Sequence, residues 1–116
     1  VLNTVSLDKK YLDRIKSGFR AVMSYGLGRN YMGNVSTPAG KTGTSQSFMD
    51  TNNDGINDTA TLTNTFVGYA PFDNPKMTIA VVSPNIVYVD GYTSSRSYAN
   101  KRITRRISQK FFEIYE

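Results

Sequence analysis

Six consecutive residues in the second half of the chain, Met77-Thr78-Ile79-Ala80-Val81-Val82, set the strongest limit on what it can become. A half-buried strand alternates apolar with polar side chains, but here both alternating sets are mostly apolar. Such a strand needs cover on both faces, so the sequence predicts a sheet lying between layers, with this strand central in it. The upstream segment Leu62 to Ala70 is also rich in β-branched and aromatic residues. The intervening Pro71-Phe72-Asp73-Asn74-Pro75 has the residues of a tight turn, so the two segments read as an antiparallel hairpin.

Helical spacing flanks this β region on either side. Leu7, Tyr11, Ile15, Phe19, Val22 and Met23 recur at three- and four-residue intervals, with Lys, Arg and Asp between them. A helix is predicted from about Leu7 to Tyr25, capped by Ser6 and ended by Gly26 and Gly28. The stretch from Gly28 to Pro38, rich in Gly, Asn and Ser, reads as a connecting loop. At the other end Ile103, Ile107, Phe111 and Ile114 form a single apolar stripe on a helix predicted from about Ser97 to Tyr115, while Arg102, Arg105, Arg106 and Lys110 lie off the stripe. The expected fold class is α+β: a three-stranded antiparallel sheet packed with an N-terminal and a C-terminal helix.

What the chain lacks narrows its chemistry. Its 116 residues contain no His, no Cys and no Trp. A Ser-His-Asp relay, an imidazole or thiolate metal site, a thiol nucleophile and a disulfide are therefore all excluded. Chemistry is left to Ser, Thr, Lys, Tyr, carboxylates and backbone dipoles. The absence of cysteine fits an exported or a reducing environment equally well. No apolar run approaches the roughly 20 residues needed to cross a bilayer, and Val1-Leu2-Asn3-Thr4 is not a signal peptide. Any membrane anchor is expected to lie outside this chain. Lys and Arg total 14 against 9 Asp and Glu, a net charge of +5. The basic face of the last helix could meet anionic envelope polymer or phospholipid headgroups, although basic side chains on a solvated helix face explain it as well. No aromatic residues interleave with these cations as a stacking platform requires, so nucleic acid is not an expected partner.

The most informative stretch is Ala39-Gly40-Lys41-Thr42-Gly43-Thr44-Ser45-Gln46. On an extended strand it puts a cation, a hydroxyl donor and bare backbone on one small surface. Such a surface can hold a carboxylate and let a peptide backbone approach closely. Three letters, Lys-Thr-Gly, are weak evidence alone, and an ordinary strand with a surface lysine is the simple alternative. The flanks add weight. Ile15-Lys16-Ser17-Gly18-Phe19-Arg20-Ala21-Val22-Met23 precedes the motif and Asn64-Thr65-Phe66-Val67-Gly68-Tyr69-Ala70-Pro71 follows it.

In these segments, from about Leu7 to Ile79, the chain resembles the penicillin-binding protein transpeptidases, in particular the monofunctional class B type, whose third signature is Lys-Thr-Gly on an edge strand. Phe19 stands where that family more often has Met. The resemblance implies a fragment of the penicillin-binding and serine β-lactamase fold. It implies that Lys41 polarises the site, that the Thr44 hydroxyl receives the substrate's terminal carboxylate, and that the Thr44 backbone N–H is half of an oxyanion hole. Gly43 would leave the strand surface open to the acyl donor, Thr42 would support the strand, and Gln46 would complete the substrate-binding set with Thr42, Gly43 and Thr44.

The same resemblance requires a nucleophilic Ser with Lys three residues on, and a Ser-x-Asn, both ahead of Lys-Thr-Gly. Ser6-Leu7-Asp8-Lys9 matches the first by letters, but it opens the helix just upstream of the motif, too late for a nucleophile. Ser83-Pro84-Asn85 matches the second but follows the motif, and Pro84 reads as the end of a strand. Residues 1–116 are therefore expected to be the C-terminal part of a transpeptidase domain without its nucleophile-bearing half. The implied whole is a D,D-transpeptidase that crosslinks peptidoglycan stem peptides and binds β-lactams. It would work at the extracytoplasmic face of the bacterial membrane, and this chain alone would be inactive. Its partners would be the missing half, the stem peptide and β-lactams. A β-lactamase or β-lactam sensor of the same fold is the first alternative.

The second alternative, a non-enzymatic calcium-dependent envelope module, comes from Asp50-Thr51-Asn52-Asn53-Asp54-Gly55-Ile56-Asn57-Asp58. Asp50, Asn52, Asp54 and Asp58 occupy positions 1, 3, 5 and 9 of a calcium loop, with Gly55 at position 6. Position 12 is Thr61, where a bidentate Glu is usual. A polar turn linking two strands explains the same residues without metal. No other cofactor is expected.

Overall fold

The structure is a computed structural model and describes residues 4–87 and 98–115. Ser97, the expected start of the last helix, and Tyr88 and Tyr92, which the sequence gives no role, lie outside the described residues. Five elements follow in order: α1 (Lys9–Ser24), β1 (Ala39–Met49), β2 (Thr59–Ala70), β3 (Met77–Ile86) and α2 (Tyr98–Tyr115). The strands form one antiparallel sheet in the order β1-β2-β3. The architecture is the α+β arrangement expected from the sequence. Among the described residues no helix is long and apolar enough to cross a membrane.

The helix α1 begins two residues later than expected because Asp8, not Ser6, caps it, its side chain accepting from the Lys10 N–H at 3.0 Å. At the other end Gly26 and Gly28 return their N–H groups to Ala21 and Val22 carbonyls, as their position in the sequence implies. Only the last turns of α1 pack: Met23 is buried, while Tyr11, Leu12 and Ile15 stay exposed. Arg20 fixes the entry of β1 by donating from Nη1 to the Pro38 carbonyl at 3.0 Å.

The core gathers Met23, Tyr31, Met32, Phe66, Ala70 and Met77, with Ile79, Phe111 and Phe112 against it. Tyr31 and Met32 belong to the stretch read as a connecting loop, so that loop is a core element as well. Phe66 is fully buried and stacks on Tyr31 with ring centroids 4.9 Å apart. Its ring lies across the facing pair Gly40 and Gly68. A Cβ on Gly68 would come within 2.7 Å of that ring, and one on Gly40 within 2.6 Å of the Val67 carbonyl oxygen.

Three expectations change. The central strand is β2, and β3 lies at an edge of this sheet, with Thr78, Ala80 and Val82 exposed on one face. Its second apolar set therefore meets no covering layer within the described residues. The strand also runs past Pro84: pairing resumes at Ile86 after an irregularity opposite Leu62 and Asn64, with Asn85 at φ 51. A proline fits there because a bulge asks no ladder N–H of it. Finally, α2 turns Asn100, Thr104 and Ser108 to the sheet and leaves Ile103, Ile107 and Ile114 exposed. These small side chains let the helix lie close. The Thr104 hydroxyl is satisfied by the Asn100 carbonyl one turn back at 2.8 Å, so it can be buried at little cost. Phe111, shared by both rows, reaches the core.

Replacing Phe66 by Ala should cost about 3–5 kcal/mol, because a fully buried ring is removed from between Tyr31 and the Gly40–Gly68 pair. Denaturant unfolding of the intact protein carrying Phe66→Ala measures it. A loss below about 1 kcal/mol would mean that the ring is not the packing centre of the sheet.

Candidate active site

The residues singled out in the sequence all lie on β1 or on the loop that follows it. Each residue of β1 pairs with β2, from Ala39 opposite Tyr69 to Met49 opposite Thr59. Its other edge has no neighbouring strand among the described residues. Lys41 through Thr44 thus form extended, solvent-facing backbone at a sheet edge, able to pair with one more extended segment.

Alternation divides the side chains between the two faces of the sheet. Thr42, Thr44 and Gln46 share the face of Phe66, Asn64 and Leu62, their register partners. Lys41 and Gly43 take the opposite face, in rows with Val67 and Thr65. The strand therefore brings the candidate residues to one edge but does not gather their side chains on one face. Lys41 is exposed and folds its ammonium back onto the Thr42 carbonyl at 2.6 Å. Across the sheet its row continues through Val67 to Ala80, into a shallow apolar hollow also lined by Phe19, Tyr69 and Thr78. The Tyr69 hydroxyl is buried without a partner there, and burial followed by the charge of Asp73 pushes its pKa upward.

The Thr44 hydroxyl donates to Asn64 Oδ1 at 3.2 Å. Asn64 is almost wholly buried, and it is the residue of this site that the sequence reading quoted but gave no role. One signal was available. In the inward set Asn64, Phe66, Gly68, Ala70 the amide is the only strongly polar member, and a buried amide needs a partner. At Gly43 a Cβ would lie 2.4 Å from Thr65 Oγ1 across the ladder. The space beside the glycine is thus already occupied by the neighbouring hydroxyl.

The loop over residues 50–58 closes on Asp50. Its carboxylate accepts from the N–H groups of Asn52 (3.2 Å), Asp54 (3.3 Å) and Gly55 (2.8 Å). These backbone donors, that of Gly55 first, hold its pKa below the ordinary carboxylate value. Asn52 Nδ2 donates to Asp54 Oδ2 at 2.9 Å, while Asp58 contacts Thr59 Oγ1 at 3.4 Å. Among the described residues no three His, Cys, Asp or Glu side chains are grouped to hold a metal ion.

The sequence model of the penicillin binding protein transpeptidase domain matches residues 1–109. The chain belongs to that family. Among relatives of the transpeptidase domain, penicillin-binding protein 2A of Bacillus subtilis (strain 168) is 39% identical over 115 residues, which is 98% of this chain and 16% of that protein. Penicillin-binding protein H of the same organism is 34% identical over 114 residues, 98% of this chain and 15% of that protein. In structure the chain is similar to penicillin-binding protein 2B from Streptococcus pneumoniae (strain R6), with a TM-score of 0.66 and 26% identity over 95% of this chain and 17% of that one. The transpeptidase segment described here thus spans about one sixth of the length of the curated relatives it matches.

Gly43→Ala should destabilise the transpeptidase domain by about 1–3 kcal/mol, since the new methyl displaces the Thr65 hydroxyl. Removing that hydroxyl by Thr65→Ala should recover most of the loss, which a double-mutant cycle followed by thermal unfolding would read. Strict additivity of the two changes would show that the contact is not what constrains Gly43.

Proposed function

We propose that this chain is the C-terminal part of a D,D-transpeptidase domain and supplies the edge strand on which a peptidoglycan stem peptide, or a β-lactam, lies during acyl transfer. The reading rests chiefly on the edge of β1 over Lys41 to Thr44, which has no neighbouring strand among the described residues and where Lys41 and Thr44 are exposed. Extended substrate backbone can pair with this edge, as peptide segments do with exposed strands elsewhere. In this reading Thr42, Thr44 and Gln46 line the substrate on one side of the strand, with Thr44 donating to its terminal carboxylate. Lys41 supplies positive charge on the other side, where Gly43 adds no side chain of its own and the Thr65 hydroxyl fills the space beside it. The Thr44 N–H is one of two donors for the developing oxyanion, a role worth about 3–4 kcal/mol of transition-state stabilisation in comparable sites.

The attacking group in this mechanism is a Ser hydroxyl in polypeptide ahead of this chain. Its oxygen forms the acyl bond to the D-Ala carbonyl as the terminal D-Ala leaves with the hydroxyl proton. An amine of a neighbouring stem peptide then takes the acyl group and regenerates the Ser. The exposed rows Tyr11-Leu12-Ile15, Val67-Val82 and Ile103-Ile107 fit a chain whose apolar faces are covered by more of a domain. The corresponding location is the extracytoplasmic face of a bacterial membrane.

A fluorescent penicillin tests this reading. The full-length protein should form a stable covalent adduct, and the 116-residue chain none. Lys41→Ala should slow adduct formation in the full-length protein about tenfold to a hundredfold, the loss of one charged hydrogen-bonding group at the site. Rapid turnover of the adduct would favour a β-lactamase, and no adduct at all would remove the transpeptidase reading.

Separately, we propose that residues 50–58 take one calcium ion through Asp50, Asn52, Asp54 and Asp58, on the strength of their spacing. Calcium titration of the protein should release or absorb heat and raise the melting temperature, and Asp50→Ala should abolish both. Neither signal at millimolar calcium would identify the loop as a metal-free turn.

A further inference from the structure

The open edge of β1 does not end at Thr44. The strand continues from Ser45 to Met49, and every residue of that stretch is exposed and uncharged. Toward its start the same strand closes. Ala39 and Gly40 are buried, and just ahead of them Arg20 holds the Pro38 carbonyl at 3.0 Å. A glycine has only backbone to bury, so at Gly40 the backbone itself is covered. A peptide whose attacked carbonyl and terminal carboxylate both rest on Thr44, the reading on which this inference depends, therefore has room to extend in one direction only. It runs antiparallel to β1, coming from Met49 toward Thr44 and pairing with the edge as it goes.

Phe48 lies on that path. Alternation puts it on the face of Thr42, Thr44 and Gln46. Its cross-strand partner is Ala60, too small to cover a ring, and the pairing of β2 with β3 ends at Leu62, so no third strand flanks it among the described residues. Phe48 is left 63% exposed. The fold gains little from an aromatic ring in that place, and a bound peptide gains more. Paired strands advance about 3.4 Å per residue, which puts Phe48 roughly 14 Å beyond Thr44 along the edge. A penicillin is too compact to span that distance, whereas an extended peptide does. Directly opposite residues of an antiparallel pair project their side chains on one face. The peptide residue four places before the one at Thr44 thus sets its side chain beside the ring. No charged side chain lies on the strand from Thr42 to Met49, so the group that gains from this contact is apolar.

We propose that Phe48 is a specificity-determining residue, the floor of a distal subsite that takes an apolar group on the acyl donor four residues ahead of the residue whose carbonyl is attacked. It contacts the donor far from the reacting atoms and discriminates between long donors by what they carry there.

Two peptides test the subsite. Both have six residues and end in D-Ala-D-Ala, and they differ only in the first residue, Leu or Ser, which is the position that faces Phe48. Release of the terminal D-Ala by the full-length protein gives kcat/KM for each. The Leu peptide should be favoured about fivefold, the yield of half-burying one leucine side chain, and Phe48→Ser should bring the ratio close to one. No preference in the unaltered protein, or a preference that survives Phe48→Ser, would overturn the proposal. So would a fall of several degrees in the melting temperature of Phe48→Ser, because the ring would then be covered by the rest of the domain and not by substrate. Failure of the underlying reading has a different signature: no adduct with a fluorescent penicillin and no D-Ala released from either peptide. A penicillin adduct together with equal use of the two peptides removes the subsite alone.

Discussion

The Phe66 ring, pressed between Tyr31 and the backbones of Gly40 and Gly68, is the contact on which the rest of this structure depends. It fixes β1 against β2 immediately before the Lys41 to Thr44 segment, and it brings the loop holding Tyr31 and Met32 over the sheet. A side chain on either glycine would lift the ring, and with it the strand that carries the candidate site. An edge strand has a partner on only one side, so its position is only as firm as that one ladder and the core beneath it. Here both are firm where Lys-Thr-Gly begins, and the strand's far end, with Phe48 and Met49 exposed, is free of the core.

A second constraint is the polar inner face of α2. A helix that buries Asn, Thr and Ser against a sheet gains less from burial than one that buries Ile, and each of its polar groups needs a partner. Thr104 finds one in its own helix and Asn100 Oδ1 finds one in Ser83, while Asn100 Nδ2 and Ser108 Oγ have none among the described residues. This polar face lies over Ser83 of β3, at the border of the apolar core. Among the described residues, the ion pairs Lys9–Asp13, Lys10–Asp8 and Lys110–Glu113 are exposed and local in sequence, the kind that contributes little to stability.

Much of this was legible beforehand, for identifiable reasons. The helices, the hairpin and the family follow from residue spacing and from the motif at residues 39–46 with its flanks. Asn64 was overlooked because a polar residue in a strand reads as solvent-facing until its neighbours are known. The inner face of α2 was misassigned because Ile103, Ile107, Phe111 and Ile114 and the row Asn100, Thr104, Ser108 and Phe111 have the same spacing, and hydrophobicity favours the former. The placement of β3 at the edge differed because apolar content on both faces reports a need for cover without naming what supplies it. The loop over residues 50–58 does link β1 to β2, but the convergence of three of its backbone N–H groups on the Asp50 carboxylate depends on backbone geometry that spacing does not give.

By itself the sequence determined, to within a few residues, which segments are extended and which are helical, and it singled out Lys41 to Thr44 as the candidate site, because periodicity and a short motif are local properties of the chain. Only the tertiary structure decided which face each of those side chains occupies, which edge is open, and which hydroxyl meets which amide. Those depend on strand register and helix rotation, and both are set by contacts between residues far apart in the chain, such as Thr44 with Asn64, Tyr31 with Phe66 and Ser83 with Asn100.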